Sequence, residues 1–174
     1  MLYLIRYAEI GKEPHPEKQV IIEPKFIVDD MLGKLAVRLR MLGFDATYYR
    51  DTADSFLLRK SREEGRILLT RDLELTKIKG ANAFFVKSKK LKDQLREVIN
   101  KYHLKIEPQN MFSRCPVCNE PLQAIPKEKV KGNVPPAIYK IFNDFSYSPT
   151  CGKYYWKGTH YEKLQEELKD LTGD

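Results

Sequence analysis

Five aspartates and three cysteines are the side chains whose types and spacing suit chemistry here: Asp29, Asp30, Asp51, Asp54 and Asp72, with Cys115, Cys118 and Cys151. Carboxylates gathered in one place repel, so burying them together is costly without a cation. Mg²⁺ or Mn²⁺ relieves that cost and takes oxygen ligands. Ions held this way can grip a phosphodiester, activate water and stabilise a leaving oxygen. The competing role for any one acid is a helix N-cap, which suits Asp51, Asp54 and Asp30. Asp29 and Asp72 each follow an apolar run directly, and for that pair metal chemistry is the expectation. Cys115-Pro-Val-Cys118 has the spacing of half a tetrahedral zinc site. A second Cys-x₂-Cys would need cysteine at 148, but the chain reads Ser148-Pro149-Thr150-Cys151. Zn²⁺ is expected on Cys115, Cys118 and Cys151, with the fourth position open to His160 or water. The alternative is a degenerate site without metal. Redox use of the pair is disfavoured, because no thioredoxin-like strand–helix context surrounds it.

Basic residues accompany the acids. Lys34, Arg38 and Arg40 share a helical stretch, Arg71 adjoins Asp72, and Lys87, Lys89, Lys90 and Lys92 follow an apolar run. Arg71 is placed to contact a phosphate or to neutralise the acids. The net charge is +7. Residues 26–107 hold 18 Lys/Arg against 12 Asp/Glu, so the excess sits in the middle of the chain. That favours a polyanion such as nucleic acid, against the plainer reading of a solvated lysine-rich face. Tyr48, Tyr49, Tyr154, Tyr155 and Trp156 suit base stacking or half-buried packing. The chain has no Gly-x-Gly-x-x-Gly and no phosphate-binding loop, which counts against dinucleotide and triphosphate enzymes.

The elements that must position these groups alternate. Phe26–Val28 reads as a strand ending at Asp29. Leu32, Leu35, Ala36, Leu39 and Leu42 recur at helical spacing, and Gly43 stops the helix. Residues 46–49 have strand composition, and Asp51 or Asp54 is placed to cap the next helix, which runs to Gly65. Residues 67–70 and 83–86 read as buried strands. Leu91, Leu95, Val98, Ile99 and Tyr102 form an amphipathic helix. This alternation predicts a parallel sheet with helices on both faces, and ligands at the carboxyl ends of its strands. Residues 108–174 are broken by prolines and contain all three cysteines. They end in a helix opened by the capping box Thr159-x-x-Glu162. The expected organisation is an N-terminal hairpin extension over 1–25, an α/β unit over 26–107, and a metal-dependent appendage with a C-terminal helix over 108–174. With 42% hydrophobic and 32% charged residues the chain is expected to be ordered. No apolar run approaches a membrane span and no leader is recognised at the N-terminus, so a cytoplasmic location is expected.

In order, these pieces carry a resemblance. Phe26-x-Val28-Asp29-x-Met31-Leu32-Gly33-x-Leu35-Ala36 opens it, followed by Leu39-Arg40-x-Leu42-Gly43-x-Asp45 and Asp51-x-x-Asp54. Arg66-Ile67-Leu68-Leu69-Thr70-Arg71-Asp72 and Gln94-Leu95 continue it. Arg114-Cys115-x-x-Cys118-Asn119-x-x-Leu122, Val134-Pro135 and Tyr155-Trp156-x-Gly158-x-His160 complete it. Over residues 26–161 the sequence resembles the Mut-seven C-terminal ribonuclease family, a PIN-like nuclease fold with a zinc ribbon. The resemblance implies a metal-dependent ribonuclease that hydrolyses RNA phosphodiester bonds. Asp29 and Asp72 would hold Mg²⁺ or Mn²⁺, and Asp54 would complete the catalytic acids. Arg71, Lys34, Arg38 and Arg40 would bind RNA. Ser148 stands where the family's ribbon has cysteine. The alternative is a non-catalytic RNA-binding or adaptor module with protein partners in an RNA-processing assembly.

Overall fold

The computed structural model describes residues 23–172, with side chains through Leu168 except that of His160. The expected hairpin pairing Leu2–Tyr7 with Val20–Ile22 lies outside the described residues, and so does the His160 side chain. The described residues begin with β1 (Phe26–Val28), a 3₁₀ turn (Asp30–Leu32), α1 (Gly33–Met41) and β2 (Ala46–Tyr48). They continue through α2 (Asp54–Glu63), β3 (Ile67–Thr70), α3 (Leu73–Lys77), β4 (Ala83–Phe85) and α4 (Leu91–Tyr102). The four strands are parallel in the order β2-β1-β3-β4, with Phe26 level with both Ala46 and Ile67.

All three residues of β1 are buried, because the sheet is covered on both sides. Phe26 and Val28 point to a core with Leu35 and Leu39 of α1 and Leu95 and Val98 of α4. Ile27 points the other way, to Leu57 and Leu58 of α2, Leu68, and Leu75 of α3. Each side chain of this size adds about 1.5–3 kcal/mol when fully buried. Gly43 has φ +98°, and a Cβ there would collide with the Asn110 carbonyl, so only glycine ends α1 this way.

The second sheet is antiparallel, in the order β5-β6-β7: β5 (Gln123–Ile125), β6 (Phe145–Ser148) and β7 (Lys153–Trp156). Between β5 and β6 come two short helices, α5 (Lys127–Val130) and α6 (Pro136–Ile141). Val130, Val134 and Phe145 form its small core. The final helix, α7 (Thr159–Thr172), returns to the first sheet, where Leu164 and Leu168 join the core that contains Phe26. Among the described residues no helix is long and apolar enough to cross a membrane.

The expected cap of α2 is corrected. Its N-cap is Ala53, without a side-chain bond, and Asp54 is the first helical residue. The Asp54 carboxylate instead lies in the first turn, at the positive end of the helix dipole. Asp51 adopts φ +52° in the preceding turn.

Candidate functional site

β1 and β3 lie side by side, and their connections leave toward opposite edges of the sheet, to β2 and to β4. A crevice forms at the carboxyl ends of such a pair. Asp29 leaves β1 there in extended conformation, and its amide donates to the Leu69 carbonyl at 3.0 Å. Its carboxylate does not cap the following turn. It accepts a 2.6 Å hydrogen bond from the hydroxyl of Thr70, the fully buried last residue of β3. The same hydroxyl oxygen accepts from the Asp72 amide at 2.9 Å. Thr70 thus fixes the Asp29 carboxylate and the backbone that carries Asp72. The Asp72 carboxylate caps α3, accepting from the Glu74 amide at 2.8 Å. Asp29 is half-buried, whereas Asp54 and Asp72 are exposed. The one group among the described residues whose ligating atoms lie within 4.8 Å of one another is Cys115, Cys118 and Cys151, so Asp29, Asp54 and Asp72 are not gathered that closely. Arg71, between Thr70 and Asp72, buries its Nε without a hydrogen-bond partner.

The cysteines meet between two turns. Cys115 and Cys118 lie in a turn closed by the Arg114–Pro121 bridge and by the Cys115 amide bonding the Glu120 carbonyl at 2.8 Å. Cys151 lies in the turn between β6 and β7. The Cys115 and Cys151 sulfurs are 3.5 Å apart. The Ser148 hydroxyl, fully buried, lies 3.2 Å from Cys118 Sγ and 3.3 Å from Cys151 Sγ. Serine therefore occupies the corner that a fourth thiolate would take. Burial pushes the Cys115 thiol up. The Tyr155 hydroxyl, 3.0 Å from its sulfur, and the amides of Cys118 and Val117 outweigh burial and bring its pKa down to about 6. The Cys118 thiol is pushed up, by burial first. Three clustered sulfurs, one readily a thiolate, suit a soft metal such as zinc.

The structure divides the basic residues, and gives Arg38 and Arg40, both expected to bind substrate, partners within the chain. Arg38 pairs with Glu167 of α7 at 3.1 Å, tying α1 to the C-terminal helix. Arg40 is buried. Its Nε donates to the Ala46 carbonyl at 2.7 Å, and Nη1 donates to the Pro116 and Val117 carbonyls at 3.0 Å each. It joins the first sheet to the turn between Cys115 and Cys118, and burial lowers its pKa. Lys34 is exposed on the first turn of α1.

Sequence reasoning missed the rest of this joint. Asn119 accepts from the Ala46 amide at 3.0 Å and donates to the Asp45 carboxylate at 2.8 Å. Asp45 also takes two bonds from Arg66, at 2.6 and 3.3 Å. Burial raises the Asp45 pKa, but bonds from Arg66 and Asn119 and the nearby Arg114 outweigh it and hold the carboxyl below its usual range. Asn119 adopts φ +71°, a conformation asparagine tolerates better than most residues.

A protein-family model described as the Mut7-C RNAse domain matches residues 24–168. No curated protein and no solved structure matches the chain.

Proposed function

The chain belongs to the Mut7-C RNAse domain family, and from that premise we propose that it is a metal-dependent ribonuclease with its acidic centre at the crevice between β1 and β3. The observation that carries this is the Thr70 hydroxyl, which bonds the Asp29 carboxylate and the Asp72 amide at once. Each of the two carboxylates has one oxygen bonded within the chain, at Asp29 Oδ2 and Asp72 Oδ1. Each keeps its other oxygen unpartnered among the described residues, a donor set that suits Mg²⁺ or Mn²⁺. Such an ion, when bound, supplies a more acidic water and offsets charge on the phosphoryl oxygens. Asp29 and Asp72 hold the ion, and Asp54 adds an acid at the start of α2. Thr70 keeps the Asp29 carboxylate oriented. The Arg71 guanidinium, beside Asp72, binds a non-bridging phosphate oxygen.

In this reading the first sheet is a PIN-like nuclease unit, residues 108–174 add a zinc-ribbon-like unit, and the protein works in the cytoplasm. Zinc sits on Cys115, Cys118 and Cys151, with the Ser148 corner open to the hydroxyl, water or His160. The rival reading is an RNA-binding or adaptor module without turnover. It is favoured by the use of the Asp72 carboxylate as a cap and by the spread of the three acids. One experiment separates them. Labelled structured and unstructured RNAs are incubated with the chain in Mn²⁺ or EDTA, beside folded Asp29→Asn and Asp72→Asn. Cleavage that needs the ion and both acids supports the ribonuclease. Wild-type cleavage by both variants at matched metal sinks it.

A further inference from the structure

A cleft of about 770 Å³ lies against the 3₁₀ turn that follows Asp29. Its walls are that turn, the start of α1, the end of β2, the start of α4 and the turn between Cys115 and Cys118. Six large hydrophobic side chains are exposed among the described residues: Met31, Val37, Leu73, Ile78, Val117 and Ile141. Three of them, Met31, Val37 and Val117, line this one cleft. Water-facing apolar groups drawn together in this way mark a binding surface.

The polar lining has one dominant sign. Lys34, Arg40, Arg50 and Lys89 contribute four cations against a single acid, Asp30, although the Arg40 guanidinium is already bonded to three carbonyls. Asp30 is already engaged, accepting a 2.7 Å bond from the Tyr48 hydroxyl, and Arg50 bonds that same tyrosine. The Lys34 and Lys89 ammonium groups have no ion pair among the described residues. The Tyr48 ring lies so close to Gly33 that an added Cβ would meet it at 3.0 Å, so this wall is built tightly.

Apolar walls beside unpaired cations match a nucleotide, which has a flat base and an anionic phosphate. The volume falls within the ~300–1,000 Å³ of pockets for small ligands. A base inside a duplex is stacked on both faces, so only an unpaired one can lie on such walls. We propose that this cleft binds one unpaired nucleotide of the RNA strand next to the scissile phosphate. The base rests on Met31, Val37 and Val117, and the flanking phosphates rest on Lys34 and Lys89. The position next to the scissile phosphate rests on the reading of Asp29 as the acidic centre, but occupancy of the cleft does not.

The test uses the full chain carrying Asp29→Asn, so that binding is read without turnover. A fluorescein-labelled oligouridylate 12-mer is titrated by anisotropy across a salt series. Lys34→Glu with Lys89→Glu should weaken binding at least about tenfold and flatten the slope of log affinity against log salt by about 1.4, at ~0.7 per single-strand phosphate contact. Lys129→Glu with Lys131→Glu makes the same charge change at the exposed end of α5 and should do much less. Met31→Ser, at a site 67% exposed and safe to change, should weaken the 12-mer several-fold and leave an abasic ribose-phosphate 12-mer unaffected. The proposal is overturned if the cleft and control pairs lose affinity equally. It is equally overturned if Met31→Ser treats the two ligands alike or if a 12-base-pair RNA duplex competes as well as the single strand. RNA that binds as described in a wild-type protein unable to cleave it leaves this proposal standing and removes only the ribonuclease.

Discussion

Replacing Arg40 with methionine separates a structural arginine from an RNA-binding one. Arg40 is 4% exposed, and its guanidinium makes three bonds to main-chain carbonyls, of Ala46, Pro116 and Val117. Ala46 is fully buried, so its carbonyl loses a bond from a charged donor worth about 1.5–3 kcal/mol. The other two lie in a turn where Val117 is 54% exposed, and water takes them over at about 0.5–1 kcal/mol each. Methionine fills much of the volume and removes a charge held away from water, which returns part of the loss. The expected net cost is about 2–3 kcal/mol, which with a slope of roughly 2 kcal/mol/M moves the urea midpoint down by about 1–1.5 M. Amide exchange at Cys118 and Asn119 should quicken under native conditions. A midpoint and exchange like the wild type, with RNA affinity lowered and its salt slope flattened, would refute the reasoning and make Arg40 a phosphate contact.

Three further outcomes are expected. The Asp45 carboxyl, held below its usual range, contributes stability that is present above the unfolded pKa of about 4 and is lost as pH falls through the folded value. Asp45→Asn should therefore cost about 2 kcal/mol at neutral pH and less in acid, and equal melting differences at pH 7 and pH 3 would contradict this. Thr70→Val removes the donor to Asp29 and the acceptor of the Asp72 amide, so cleavage at limiting Mn²⁺ should fall about 10–100-fold and recover in Thr70→Ser. Wild-type cleavage by the valine variant would show that Thr70 does not orient the site. Ser148→Cys should complete a four-thiolate corner and stabilise the zinc-loaded chain by about 2.7 kcal/mol or more once zinc exceeds its dissociation constant 100-fold, as read by melting with and without chelator. An unchanged melting temperature in both conditions would mean that serine is not the weak corner.

The strands of the first sheet were legible as continuous apolar runs, and its long helices because their apolar residues repeat at helical spacing. β3 and α4 lie at the residues the sequence marks, and α1 begins one residue beyond its first apolar position. The five-residue α3 and the short pieces of the second sheet were not legible, since they are too short for a period and, unlike β1 and β3, mix polar residues into their apolar ones, as in Gln123–Ile125 and Phe145–Ser148. At the candidate site the sequence placed Asp29 and Asp72 at strand exits. It did not show Thr70 between them, because a threonine closing a strand has ordinary strand composition until its hydroxyl finds a partner. The burial of Arg40 was hidden for a related reason. Charge alone reads as surface, and only the return of the Cys115–Cys118 turn onto β2 buries it. Asp45, Arg66 and Asn119 lie far apart along the chain, and nothing local in their segments announces that they meet.

The docking of α7 sets a condition on how the protein is made. The core that begins at Phe26 is closed by Leu164 and Leu168, near the other end of the chain. At about 5–20 residues per second, the ribosome takes on the order of ten seconds to travel from the first of these to the last. Throughout that interval the faces of α1 and α4 that α7 will cover stay open to water, and Arg38 waits for Glu167. The nascent chain therefore carries a sticky apolar surface until α7 has been made. A premature stop before α7 leaves that surface uncovered for good, marking the truncated product for chaperones and proteases.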